Sequence, residues 1–158
     1  MRPHSSFKIL TELLEQQILV LDGAMGTMIQ GKKLSESDFR GERFKNHESD
    51  LSGNNDLLTL TQPHIISKIY LSYLNAGCDI VETNTFNSTG SSQSDYGLSE
   101  ITYELNLEAA KLARSACDEI YNNDPQRPRF VAGVLGPTSK TASISPDVND
   151  PALRNTSF

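Results

Sequence analysis

Cysteine is nearly absent from this chain. Of 158 residues only Cys78 and Cys117 are cysteines, and they form no CxxC pair. That leaves no disulfide framework to read, and a reducing cytoplasm is the expected compartment. Histidine is equally sparse: His4, His47 and His64 are scattered, and no metal constellation is visible in the spacing. Basic residues are outnumbered, 14 Lys and Arg against 20 Asp and Glu for a net charge of -6. Only Lys32 and Lys33 are adjacent. This argues against a nucleic-acid or anionic-membrane surface held by general electrostatics. No uninterrupted apolar stretch follows Met1-Arg2-Pro3-His4-Ser5-Ser6 that would serve as a signal segment or membrane span. The expected partners therefore include neither nucleic acid nor membrane.

What is present is the composition of one globular domain, 37 % hydrophobic and 22 % charged. Phe7, Leu10, Leu13 and Leu14 recur at helical spacing after Ser5 and Ser6, predicting a leading helix within residues 1–16 capped by those serines. Ile18-Leu19-Val20-Leu21 is apolar on both faces, as a buried parallel strand is, and ends in Asp22-Gly23. Residues 23–55 are polar and lack a strong period, predicting a long connection with one short helix near Ser35 to Phe39. Thr61-Gln62-Pro63 opens a helix with a hydroxyl cap and a first-turn proline; Ile65, Ile66, Ile69, Tyr70, Tyr73 and Leu74 form its apolar face and Gly77 its stop. Cys78 to Thr83 reads as a second strand and residues 84–97 as a loop. Ile101, Leu105, Ala109, Leu112, Ala116 and Ile120 predict a helix from Ser99 to Asn122, and Arg129 to Leu135 is a third strand. From Thr138 to Phe158 no core element is expected.

The order helix, β, α, β, α, β defines an α/β chain with a parallel sheet. Three strands cannot close a barrel and leave an edge unpaired. The pattern is a small doubly wound sheet or the first third of something larger, and the long polar tail after the third strand favours the larger fold.

Ligands in parallel α/β folds sit at the carboxyl ends of the strands. All three ends here are polar: Asp22-Gly23, Glu82-Thr83-Asn84-Thr85, and Gly133 through Gly136-Pro137-Thr138. A carboxylate after an apolar strand is costly to bury without a cation. Asp22 is thus a candidate to hold an ammonium group; a helix cap or buried loop hydrogen bond is the alternative. Alternation puts Glu82 and Asn84 on one side of their strand and Thr83 and Thr85 on the other, with Glu82 as an interior polar group or ion-pair partner. Gly23 and Gly26 follow a strand, but as GxxG rather than GxGxxG, a weak dinucleotide signal. Cys78 and Cys117 read as packing residues and His64 as a solvated residue in a helix's first turn.

Several ordered motifs carry a resemblance. Asp22-Gly23-Ala24-Met25-Gly26-Thr27-Met28-Ile29-Gln30, Phe39-Arg40-Gly41, Gly53-Asn54-Asn55-Asp56-Leu57-Leu58 and Thr61-Gln62-Pro63 are similar to the N-terminal homocysteine-binding module of cobalamin-dependent methionine synthases. So are Ala76 through Phe86 and Val131 through Thr138. The resemblance runs from about residue 16 onward. It implies a partial homocysteine-binding (β/α)8 domain over residues 1–158, with the rest of the barrel after 158.

The implied enzyme moves a methyl group from methyltetrahydrofolate to cobalamin and then to the homocysteine thiolate, with folate- and cobalamin-binding modules in the same protein. Zinc on three cysteine thiolates activates the sulfur in this family, and neither Cys78 nor Cys117 matches a ligand position. The substrate residues carried over are Asp22, for the amino group, and Gly23, with Glu82, Thr83 and Asn84 as neighbours. No catalytic residue and no metal ligand carries over, so these residues alone are expected to be inactive. The alternatives are a homocysteine methyltransferase using betaine or S-methylmethionine, or a non-catalytic module binding a partner along an open sheet edge.

Overall fold

A computed structural model describes residues 3–138, 140 and 143–154 of the chain. Helix α1 spans Pro3–Leu14, so Ser5 and Ser6 lie inside its first turns and do not cap it.

The Ile18–Leu21 run forms less strand than its apolarity predicts. Only Leu21 bridges, in parallel, to Ile80, and Ile18 is 91 % exposed. One flank of the run is bonded: Val20 O accepts from Asp79 N and Ile80 N, and Asp22 N donates to Ile80 O. The other flank meets no partner strand among the described residues. With one side of its backbone unpaired, the run is held to a single bridge.

Residues 23–55 hold two short helices where one was expected: α2 (Met25–Gln30) and α3 (Glu36–Arg40). The first is too brief for its period to register in sequence. The second opens on a capping box, with Ser35 N donating to Asp38 Oδ2 at 2.8 Å. Arg40 organises the irregular chain that follows. Its Nε donates to Glu36 (2.6 Å), Nη1 to the carbonyls of Phe44 and His47, and Nη2 to that of Ser49. Glu36 in turn accepts from the amides of Leu51 and Ser52. One ion pair thereby satisfies the backbone of a segment with no regular structure.

A 3-10 turn (Asn55–Leu57) and α4 (Leu58–Thr61) lead into α5 (Pro63–Ala76). Thr61 is not the cap of α5: it ends α4, its hydroxyl on Leu57 O, and Gln62 occupies the cap position with its side chain turned to Asp38 O rather than to the helix. Gly77 ends α5 as expected, at φ 109°, a left-handed turn that favours glycine. β1 (Ile80–Glu82) follows. The stretch read as loop over 84–97 contains α6 (Gly90–Gln93), capped by Thr89, and a 3-10 turn (Ser94–Tyr96). α7 (Thr102–Asn123) and β2 (Phe130–Ala132) complete the core. β2 is shorter than predicted, and Leu135 is 94 % exposed. Beyond it, residues 143–154 form bends and turns; 139, 141, 142 and 155–158, part of the predicted tail, lie outside the described residues.

The sheet is parallel, pairing Ile80 with Phe130, Val81 with Val131 and Glu82 with Ala132, while Leu21 bridges to Ile80. α5 packs on α7, and each also packs on its strand, so both crossover helices cover one face. Ile66, Ile69, Tyr70 and Leu74 of α5 share a core with Ala113, Ala116 and Cys117 of α7 and with Val81. The small residues of α7 let the larger side chains of α5 close in, and each fully buried aliphatic contributes about 2 kcal/mol. The opposite end from the site is locked by Asp79, 4 % exposed. Its Oδ1 accepts from Arg127 Nε and Nη2 (3.1 and 2.9 Å) and faces Arg129 Nη1 at 3.9 Å, and Oδ2 accepts from Val20 N.

Candidate functional site

Asp22, Gly23, Glu82, Thr83 and Asn84 all line one cavity of about 490 Å³ beyond the carboxyl ends of the strands. Asn55, Asp56, Thr85, Phe86, Asn87, Val134 and residues 24–26 complete its wall.

Asp22 leaves the Leu21 bridge pointing toward β1. Its Oδ2 accepts from Glu82 N at 3.1 Å. Its Oδ1 is buried and has no hydrogen-bond partner among the described residues. Burial raises its pKa to about 6; the Glu82 amide opposes the rise and the Glu82 charge adds to it. Gly23 sits against Tyr73, where an added Cβ would come within 2.9 Å of the ring.

The strand alternation expected past Glu82 does not hold, because β1 stops there. Glu82 is exposed and forms no ion pair among the described residues, whereas Thr83, Asn84 and Thr85 are all buried. The two threonines tie the strand ends together. Thr83 and Thr85 hydroxyls lie 2.7 Å apart, Thr85 Oγ1 donates to Val134 O, and Val134 N donates to Thr83 Oγ1. With the Thr85 proton committed, Thr83 donates to Thr85. Asn84 is likewise committed: its N–H donates to Tyr70 Oη (2.9 Å), and its Nδ2 to Asn55 O and Thr59 Oγ1. Its side-chain amide builds the wall rather than reaching into the cavity.

Sequence reasoning missed the supports. Tyr70 and Tyr73, one helical turn apart, read only as apolar face residues, yet each holds up one wall of the cavity. Burial keeps the Tyr70 phenol well above its usual pKa, so it stays a neutral hydroxyl. Gly136 passes so close to Phe86 that an added Cβ would overlap the Phe86 carbonyl. Asp56, 2 % exposed, accepts from Asn87 N and Ser88 Oγ. The motif containing Asp56 was visible, but nothing in its spacing pointed to the cavity.

No set of three or more His, Cys, Asp or Glu side chains converges to hold a metal among the described residues. Cys78 and Cys117 are buried, and burial pushes both thiols up to about 11, where they stay protonated. These residues do not fit a zinc site. Among the described residues no helix is long and apolar enough to cross a membrane.

The strand-end cavity is lined by Asp22, Asp56 and Glu82 and, among the described residues, by no Lys, Arg or His. Residues 19–158 match the homocysteine S-methyltransferase family, and the chain belongs to it. Its fold resembles the metallated form of the homocysteine methyltransferase MmuM from Escherichia coli, with 27 % identity and a TM-score of 0.62 over 81 % of this chain. The oxidized form of that protein matches with a TM-score of 0.63 at 27 % identity, again over 81 % of this chain. The chain spans 41 % and 40 % of the length of those structures.

Proposed function

We propose that the cavity is the amino-acid subsite of a homocysteine methyltransferase, and that it binds L-homocysteine. The observation that supports this most directly is the orphaned Oδ1 of Asp22, a buried carboxylate oxygen with no donor among the described residues. Burying such a group is unfavourable unless a donor arrives, and a ligand ammonium is the donor that also cancels its charge. Ala24, Met25 and Gly26 line the same cavity beside Asp22. Gly23, Glu82 and Thr83 shape the space around the ammonium, and Asn84 holds that wall in place.

Neighbouring strands follow one another in sequence order with both crossover helices on one face, which supports a (β/α)8 barrel. We read the chain as the opening part of such a barrel, in a cytoplasmic cobalamin-dependent methionine synthase with folate- and cobalamin-binding modules. Zinc and cobalamin enter this reading through the sequence motifs alone. The chemistry assigned to the residues described here is binding and orientation, presenting the homocysteine sulfur to a methyl donor.

The alternative is a homocysteine methyltransferase drawing on S-methylmethionine or betaine, which the family match covers equally. The donor decides between them. The complete protein should methylate homocysteine from methylcobalamin and not from either onium donor; methylation from S-methylmethionine or betaine alone would reverse the choice.

A further inference from the structure

The cavity contains a second buried carboxylate that the ammonium contact does not use. Asp56 lies on the 3-10 turn before α4 and is 2 % exposed. Its Oδ2 accepts from Asn87 N and Ser88 Oγ, both at 2.7 Å. Those bonds pin the turn to the loop after β1, beside the buried reciprocal pair of Asn54 and Gln93. They account for an acceptor at this position. They do not account for an acid, since an asparagine carbonyl accepts the same two donors. No cationic side chain pairs with Asp56 among the described residues, and none lines the cavity. Burial also holds its pKa above the usual carboxylate value. A buried carboxylate without a cation is destabilising. Among the described residues nothing supplies that charge, which leaves the cavity's occupant as its source.

On the reading of the cavity as an amino-acid subsite, we propose that Asp56 is a specificity-determining residue whose charge selects ligands bearing an ammonium and rejects anionic ones. Its contribution is electrostatic and separate from the direct contact at Asp22. Across a cavity of this size one buried charge shifts affinity roughly three- to tenfold per unit of ligand charge, allowing for solvent.

The test is calorimetric titration of the full chain with three thiols: L-homocysteine, its amine-only analogue 3-aminopropane-1-thiol, and its acid-only analogue 4-mercaptobutanoate. The wild type should bind the amine more tightly than the acid. Asp56→Asn keeps both hydrogen bonds and should shrink that preference roughly ten- to a hundredfold, since the two analogues differ by two units of charge, with the melting temperature unchanged or raised. If Asp56→Asn leaves the ratio of the two affinities as in the wild type, while Asp22→Asn still abolishes amine binding, Asp56 is only a structural latch and the proposal falls; the Asp22 reading survives. If the wild type binds neither homocysteine nor the amine, the reading of the cavity fails, and this proposal with it.

Discussion

Homocysteine affinity should weaken on acidification with a midpoint set by Asp22. In the ligand-free cavity that carboxyl titrates near 6 because burial disfavours its charge. Only the ionised form accepts an ammonium, so apparent affinity scales with the ionised fraction. That fraction is about 97 % at pH 7.5 and about 9 % at pH 5, which predicts roughly tenfold weaker binding across the interval. Asp22→Asn should bind weakly and show none of this dependence, which removes every other titration from the comparison. The stability of the ligand-free chain should move the opposite way. The folded pKa lies above the ordinary 3.8, so the folded state holds the proton more tightly. Stability is therefore gained as pH falls from about 6 toward 4 and lost as it rises back. The shift sets a ceiling of about 3 kcal/mol, roughly halved by solvent reaching an open cavity. Calorimetric titrations and melts between pH 5 and 7.5 measure both effects. A wild-type affinity constant across that range would refute the assignment of the ammonium to Asp22.

Asp79→Asn should destabilise the fold by about 3 kcal/mol in a urea melt, because it strands the buried Arg129 guanidinium without its counter-charge; a loss under about 1 kcal/mol would mean the cluster is not a lock. Gly136→Ala should disturb the cavity through Phe86, weakening homocysteine binding at least tenfold while the Asp79 end of the sheet keeps its amide-exchange protection; unchanged binding would show that the chain has room to yield. Cys78 and Cys117, buried and protonated, should resist alkylation by iodoacetamide at pH 8 until the chain is denatured. Rapid native labelling would contradict the packing described for them.

The helices were legible because their periods are long and their stops are chemical. α5 and α7 follow from repeated apolar positions, and Gly77 marks the end of α5. α2 was missed because six residues hold too little period to separate from a loop. The Ile18–Leu21 run was over-read: apolarity reports what a segment is suited to bury against, and pairing requires a neighbour on each flank. The strand-end rule located Asp22, Gly23, Glu82, Thr83 and Asn84 on one cavity. It did not distinguish what each does. Thr83 and Asn84 were grouped with Asp22 as polar strand-end residues, yet their polar atoms are consumed by Thr85, Val134, Tyr70 and Asn55. Only the three-dimensional accounting of donors and acceptors separates a free carboxylate oxygen from a satisfied amide. Asp56 was hidden for the same reason, reaching the cavity through a contact some thirty residues distant in sequence.

The free oxygen of Asp22 is the atom expected to receive the ligand's ammonium. Side-chain carboxyl NMR with 13C-labelled aspartate, titrated with and without saturating L-homocysteine, tests it on the atom concerned. The Asp22 resonance should titrate near 6 in the free protein and well below that value once an ammonium is bound. An Asp22 pKa unmoved by saturating homocysteine would place the ammonium elsewhere.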